Sequence, residues 1–110
     1  MKLIDRRTVK QQLGKAILLE ALPEKYWRDW HLPGARNLPH DRVRELAPAL
    51  LPDKSAEMIV YCASSTCQNS HIAARVLEQM GYANVSVYSG GKQDWQEAGL
   101  PVEGGAMAEA

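Results

Sequence analysis

The chain has 110 residues, 45% of them hydrophobic and 24% charged, proportions that suit one globular domain with a core of its own. Thirteen lysine and arginine residues balance thirteen aspartate and glutamate residues and no basic block reaches five residues, so no nucleic-acid partner is expected. The charged amino terminus, MKLIDRRTVK, lacks the apolar centre of a signal peptide and no segment is long enough to span a bilayer, which predicts a cytoplasmic protein with no membrane partner.

Taken in chain order, Lys2 to Ile4 reads as a short strand and Asp5 as the N-cap of a helix that shows Val9 and Leu13 on one face and stops near Gly14. AILLEAL, 16–22, is a nearly continuous apolar run, the pattern of a strand covered on both faces. Pro23 opens a short helix, PEKYWRDW, and Pro33-Gly34 turns the chain into a small strand around Ala35 to Leu38. DRVRELAPALL is a helix that Pro48 should bend or end. EMIVYC, 57–62, carries the strongest strand signal. Beyond it, Ile72, Ala73, Val76, Leu77 and Met80 fall on one helical face, closed by Gly81. NVSVY is a last strand, and SGGKQDWQEAG a glycine turn followed by a short helix. This alternation predicts an α/β fold in three layers: a mostly parallel central sheet of about five strands with helices on both faces. Residues 1–103 should form the single domain, with 104–110, small and polar, as a flexible tail.

Both cysteines, Cys62 and Cys67, fall within eight residues, between the best strand and the helix that starts near Asn69 or Ser70. In an open α/β sheet, ligands bind beyond the carboxyl ends of the strands. A loop there delivers backbone N–H groups and the positive end of a helix dipole, both of which favour a thiolate. In a reducing compartment two cysteines point away from a structural staple and towards reactivity or metal binding. Four readings follow. Both thiols are simply packed; or Cys62, Cys67 and His71 hold a metal, although their spacing matches no zinc motif and no fourth ligand is evident; or they form a redox pair, with four intervening residues where the thioredoxin motif has two; or one is a sulfur nucleophile. We favour the last, and expect neither metal nor cofactor. A cysteine phosphatase would need Arg six positions after its Cys, where this chain has Gln68 or Ala73.

HLPGARNLP (31–39), IVYC (59–62), GYANV (81–85) and GGKQDW (90–95) follow one another in an order and spacing that resembles a single-domain rhodanese, from about residue 2 to Pro101. The resemblance implies the rhodanese-like fold, and a strand-end cysteine that accepts sulfane sulfur as a persulfide and hands it to cyanide or a thiol. Carried onto this chain, the persulfide carrier is Cys62, with Cys67 as alternative carrier or resolving thiol. The substrate-binding loop is then Ala63, Ser64, Ser65, Thr66, Gln68, Asn69 and Ser70, with His31 and His71 at the edge of the site. His31 reads as structural rather than as a base. The chain departs from the usual pattern in its long loop with a second cysteine, in Glu20-Ala21-Leu22 where Asp-x-Arg is common, and in the lack of a basic loop residue. The last favours a protein-bound or small persulfide over thiosulfate. The expected function is sulfur transfer from thiosulfate or a persulfide donor to a thiol or cyanide acceptor. The alternatives are a thiol-disulfide or oxyanion reductase using Cys62 and Cys67, and a non-catalytic interaction module of the rhodanese type. Expected partners are a small-molecule or protein-bound sulfur donor and a thiol acceptor; the oligomeric state is left open.

Overall fold

A computed structural model of the chain describes residues 1–104, and the rest of the expected tail, 105–110, lies outside the described residues. The strands are β1 (Lys2–Ile4), β2 (Ile17–Glu20), β3 (Arg36–Asn37), β4 (Met58–Tyr61) and β5 (Val85–Tyr88). Between and after them run α1 (Arg6–Gln12), α2 (Glu24–Asp29), α3 (Val43–Leu50), α4 (Asn69–Gln79) and α5 (Gly91–Glu97). The five strands form one sheet in the order β1-β5-β4-β2-β3, and every pairing is parallel. The α/β architecture expected from the alternation of elements is therefore present, with β4 in the middle.

The period-2 pleat divides the apolar residues between two cores. Leu19, Met58, Val60, Val85 and Val87 pack against Val43 and Ala47 of α3 and Ala73, Ala74 and Leu77 of α4. Leu18, Ile59, Tyr61 and Tyr88 point the other way, onto Val9 of α1 and Trp95 of α5. All four residues of β4 are buried, which explains why its sequence runs apolar without alternation. Asp5 caps α1 as expected, its Oδ1 accepting the Thr8 N–H at 2.9 Å.

Helix α3 carries Pro48 in its last turn and ends two residues later at Leu50; Tyr82 braces its end by donating from its hydroxyl to the Leu51 carbonyl at 2.7 Å. One local expectation is corrected. On α4 the buried line is Ser70, Ala73, Ala74 and Leu77, with Val76 and Met80 only partly buried, while Ile72 is 41% exposed. That line follows the i, i+3, i+4, i+7 spacing of a helix face, and Ile72 lies off it. Gly81, at φ +96°, ends the helix as expected. Among the described residues no helix is long and apolar enough to cross a membrane.

Candidate functional site

Because every strand is parallel, their carboxyl ends share one edge, and Cys62 leaves the sheet there directly after β4. The start of the following loop is held by the first turn of α5: the Lys92 N–H donates to the Cys62 carbonyl at 2.9 Å and the Gln93 N–H to the Ala63 carbonyl at 2.8 Å. Gly91 makes this approach possible. Its φ is +65°, and a Cβ there would lie 2.4 Å from the Cys62 oxygen and 3.0 Å from the Ser64 nitrogen. Gly91→Ala is therefore expected to cost at least about 1–2 kcal/mol from the left-handed backbone alone and to push α5 off the loop. Thermal unfolding measures this; an unchanged midpoint would refute the close approach.

The loop folds back on itself. The Cys67 N–H donates to the Ser64 carbonyl at 3.1 Å, and the Ser64 and Thr66 hydroxyls are 3.1 Å apart. By contrast, the N–H groups of Ser64, Ser65, Thr66 and Gln68 donate to no backbone acceptor among the described residues. The first-turn amides of α4, from Asn69 onward, lack intrahelical acceptors by construction. Free amides thus cluster at the edge of the sheet where α/β proteins bind ligands, and they belong to the loop residues singled out in the sequence.

The two thiols are free and stand together, Cys62 buried and Cys67 half-buried. Cys62 is 1% exposed. Its S–H donates to the Cys67 carbonyl, Sγ to oxygen 3.3 Å, and Sγ lies 3.4 Å from Ser70 Oγ. Burial pushes the Cys62 thiol above its usual range and the adjacent Cys67 raises it further, while the hydroxyl and amide of Ser70 pull it back. This corrects the expectation of a readily ionised thiol at this position. The helix dipole and free amides do favour the anion, but the sulfur sits dry under the turn with a carbonyl oxygen against it, and desolvation outweighs them. Its hydrogen-bond neighbours are nevertheless polar loop groups.

His71 lies on the first turn of α4, half-buried. Among the described residues no three His, Cys, Asp or Glu side chains assemble as a metal site; Cys62, Cys67 and His71 do not form one. His31 stacks on Trp27, centroids 4.4 Å apart, with Nδ1 2.6 Å from the Trp27 carbonyl. Its main chain forms a two-residue bridge with Glu103, so its described hydrogen bonds tie it to α2 and to Glu103 and none reaches the loop.

One group beneath the site is not evident in the sequence. Glu20, fully buried, accepts from Lys92 Nζ at 3.1 Å and from the Tyr61 hydroxyl at 2.9 Å. Lys92 Nζ also donates to the Tyr26 carbonyl at 2.8 Å and lies 4.6 Å from the Trp30 ring centroid. The Leu32 N–H donates to the Tyr61 oxygen at 3.1 Å. Burial pushes the Glu20 carboxyl up against the opposing pull of Lys92 and Tyr61. Glu20 stands out in the sequence as the replacement for Asp-x-Arg, whereas Lys92 does not stand out at all. The available signal was a lysine three residues before Trp95, on the buried face of a short helix. Through its side chain and its own N–H, Lys92 links β2, α2 and the root of the cysteine loop.

The chain is thus an α/β protein with a free cysteine at the carboxyl end of the middle strand of an open parallel sheet, under a loop that runs into a helix. The chain belongs to the rhodanese family: residues 5–98 match the Rhodanese-like domain. It is 36% identical over 73 residues to the thiosulfate sulfurtransferase PspE of Escherichia coli, covering 66% of this chain and 66% of that protein. It is 28% identical over 97 residues to the HTH-type transcriptional regulator Rv0324 of Mycobacterium tuberculosis, covering 88% of this chain and 42% of that protein. This chain therefore spans less than half of one of these relatives and just under two thirds of the other. The crystal structure of the BH2092 protein from Bacillus halodurans matches with a TM-score of 0.87 at 23% identity, over 99% of this chain and 81% of that one, a likeness of fold.

Proposed function

We propose that the domain is a sulfurtransferase in which Cys62 carries sulfane sulfur as a persulfide and passes it to a thiol or to cyanide. The observation that carries this is the position of Cys62 at the end of β4, beside the unpaired amides of Ser64, Ser65, Thr66 and Gln68, in a chain of the rhodanese family. In the first half-reaction the Cys62 thiolate attacks the sulfane sulfur of the donor. A bond from Sγ to that sulfur forms, the donor's S–S bond breaks, and sulfite or a thiolate leaves. In the second, the acceptor attacks the outer sulfur and Sγ leaves with the electron pair. The loop amides stabilise the persulfide anion between the two steps. Ionisation removes the S–H donor that the Cys67 carbonyl accepts in the thiol form.

The donor class follows from charge. Residues 63–70 contain no Lys or Arg, and the recess beside the loop is lined by Ser65, Gly90, Gln93, Asp94 and Glu97. Arg6 offsets Asp94 at 3.1 Å, but no ion pair among the described residues offsets Glu97, so a dianion such as thiosulfate meets net negative charge there and a singly charged or neutral persulfide is the better donor. Incubated with inorganic polysulfide, desalted and read at once, the protein is expected to gain one sulfur atom by intact mass and to release it to cyanide as thiocyanate. Failure to gain sulfur from any persulfide donor would remove the proposal.

The pH profile is a further prediction. Burial raises the Cys62 thiol, so the thiolate fraction, and the rate of sulfur uptake, should climb through the ordinary thiol value of about 8.5 and beyond it. Thiosulfate, whose charge is constant over this range, is the donor for that measurement. A rate already level at neutral pH would contradict the dry setting of the thiol. The nearness of Cys67 favours a second reading, a reductase in which Cys62 attacks an oxidised substrate and Cys67 resolves the product. It shares the first covalent step and parts from sulfur transfer at the second.

A further inference from the structure

We propose that Cys67 is a second catalytic thiol, which discharges the Cys62 persulfide internally, releasing hydrogen sulfide and leaving a Cys62–Cys67 disulfide. This rests on the sulfurtransferase reading and gives the site a second outcome beyond transfer.

A cysteine persulfide has two sulfurs open to attack. Attack on the outer one moves sulfane sulfur to the acceptor. Attack on the inner one, Sγ of Cys62, forms a disulfide and expels the outer sulfur as hydrosulfide. Cys62 is 1% exposed, so an external thiol approaching from solvent meets the outer sulfur, and the inner one is shielded beneath the turn. Cys67 is placed differently. The turn from Ser64 to Cys67, closed by the Cys67 N–H on the Ser64 carbonyl at 3.1 Å, brings the Cys67 carbonyl oxygen to 3.3 Å from Cys62 Sγ. A cysteine's own carbonyl carbon and thiol are joined through only the α and β carbons, which keeps the Cys67 sulfur in the neighbourhood of the inner sulfur. The effect of Cys67 on the Cys62 thiol reflects the same proximity. Both thiols are free, and no acidic or basic side chain lies between them in the sequence. A disulfide needs Cα atoms roughly 4.4–6.8 Å apart, a span the loop must reach when the two sulfurs join.

The step balances. The Cys62 persulfide and the Cys67 thiol become the Cys62–Cys67 disulfide and one molecule of hydrogen sulfide: the bond between the two cysteine sulfurs forms, the bond from Sγ to the outer sulfur breaks, and the departing sulfur takes the proton of Cys67. The sulfane sulfur is reduced by two electrons and the two cysteine sulfurs together supply them. Return to the dithiol requires an external reductant of the dithiol class, a small molecule or a protein carrying paired thiols, acting by thiol–disulfide exchange. Abundant monothiol acceptor favours transfer, whereas its scarcity favours internal discharge.

The test loads wild type, Cys67→Ser and Cys67→Ala with inorganic polysulfide, removes the excess by desalting, and follows free sulfide and intact mass without added thiol. Wild type is expected to lose its extra sulfur in a first-order process whose rate is independent of protein concentration. It should release one equivalent of sulfide and end two hydrogens lighter than the reduced chain, with that loss in the tryptic peptide Ser55–Arg75, which contains both cysteines. The two Cys67 variants should stay loaded until cyanide is added, discharging slower by about a hundredfold or more, as intramolecular attack is lost. Wild type that holds sulfur as long as the variants, or variants that release sulfide as fast as wild type, would overturn the inference and leave sulfur transfer standing. If none of the three proteins takes up sulfur and wild type releases no sulfide, both readings are overturned.

Discussion

Cys62→Ser is expected to take up no cyanide-labile sulfur at all while unfolding close to the parent temperature. The two halves of that outcome have separate causes. Sulfane sulfur is held through a sulfur–sulfur bond formed by a thiolate; a serine hydroxyl, un-ionised at these pH values, forms no corresponding link, so the loss is complete rather than graded. The fold, however, asks little of the sulfur. It fills a small site at the end of β4 where the Cys67 carbonyl stands ready to accept and the Ser70 hydroxyl lies 3.4 Å away. A serine hydroxyl finds both partners, so the buried polar group stays satisfied and the change in stability should remain within about 1 kcal/mol. Intact mass after polysulfide loading reads the first half and thermal unfolding the second. Uptake that persists in Cys62→Ser would move the carrier to Cys67, and uptake with an unfolded chain would show nonspecific thiol chemistry in its place.

What is legible in the sequence follows the range over which each signal acts. The burial of β4 is written in EMIVYC itself, and the five parallel strands follow from alternating apolar runs and helix periods, each a property of a few consecutive residues. The loop between β4 and α4 is legible for the same reason, as is Gly81 at the end of α4. Ile72 is misplaced because several apolar stripes can be drawn on one helix, and only packing against β4 and β5 selects the line through Ala73 and Leu77. The ionisation of Cys62 is misjudged because dipoles and free amides are readable from a strand–loop–helix order, whereas desolvation depends on how far the turn closes over the sulfur. Lys92 is missed for the plainest reason: its carboxylate partner is 72 residues away in sequence, and no local pattern joins them. The family resemblance locates the thiol; it does not supply the ion pair that braces it.

Lys92→Met should lower stability by roughly 3–5 kcal/mol, the usual cost of removing one partner from a buried ion pair. For a domain whose whole stability is about 5–15 kcal/mol, this is the largest effect of any single substitution considered. Glu20 would keep its Tyr61 hydroxyl at 2.9 Å but lose its cationic partner, and the Tyr26 carbonyl and the Trp30 ring would lose the ammonium as well. The deficit should depend on pH with a definite sign. Burial already raises the Glu20 carboxyl and Lys92 opposes that rise; without Lys92 it rises further. A carboxyl raised in the folded state favours folding below its unfolded value of about 4.3 and loses that contribution as pH climbs through the raised folded value. The variant should therefore come closest to wild type in acid and fall furthest behind at neutral pH and above. Pairing it with Glu20→Gln removes the stranded charge while leaving an amide oxygen for Tyr61, so the double variant should be more stable than Lys92→Met alone and nearly flat with pH. Denaturant unfolding of the three proteins across acid and neutral pH decides the matter. If the double variant is no better than the single one, the pair acts through packing of the lysine stem under Trp30, and charge balance is not what holds α5, and with it the Cys62 carbonyl, in place.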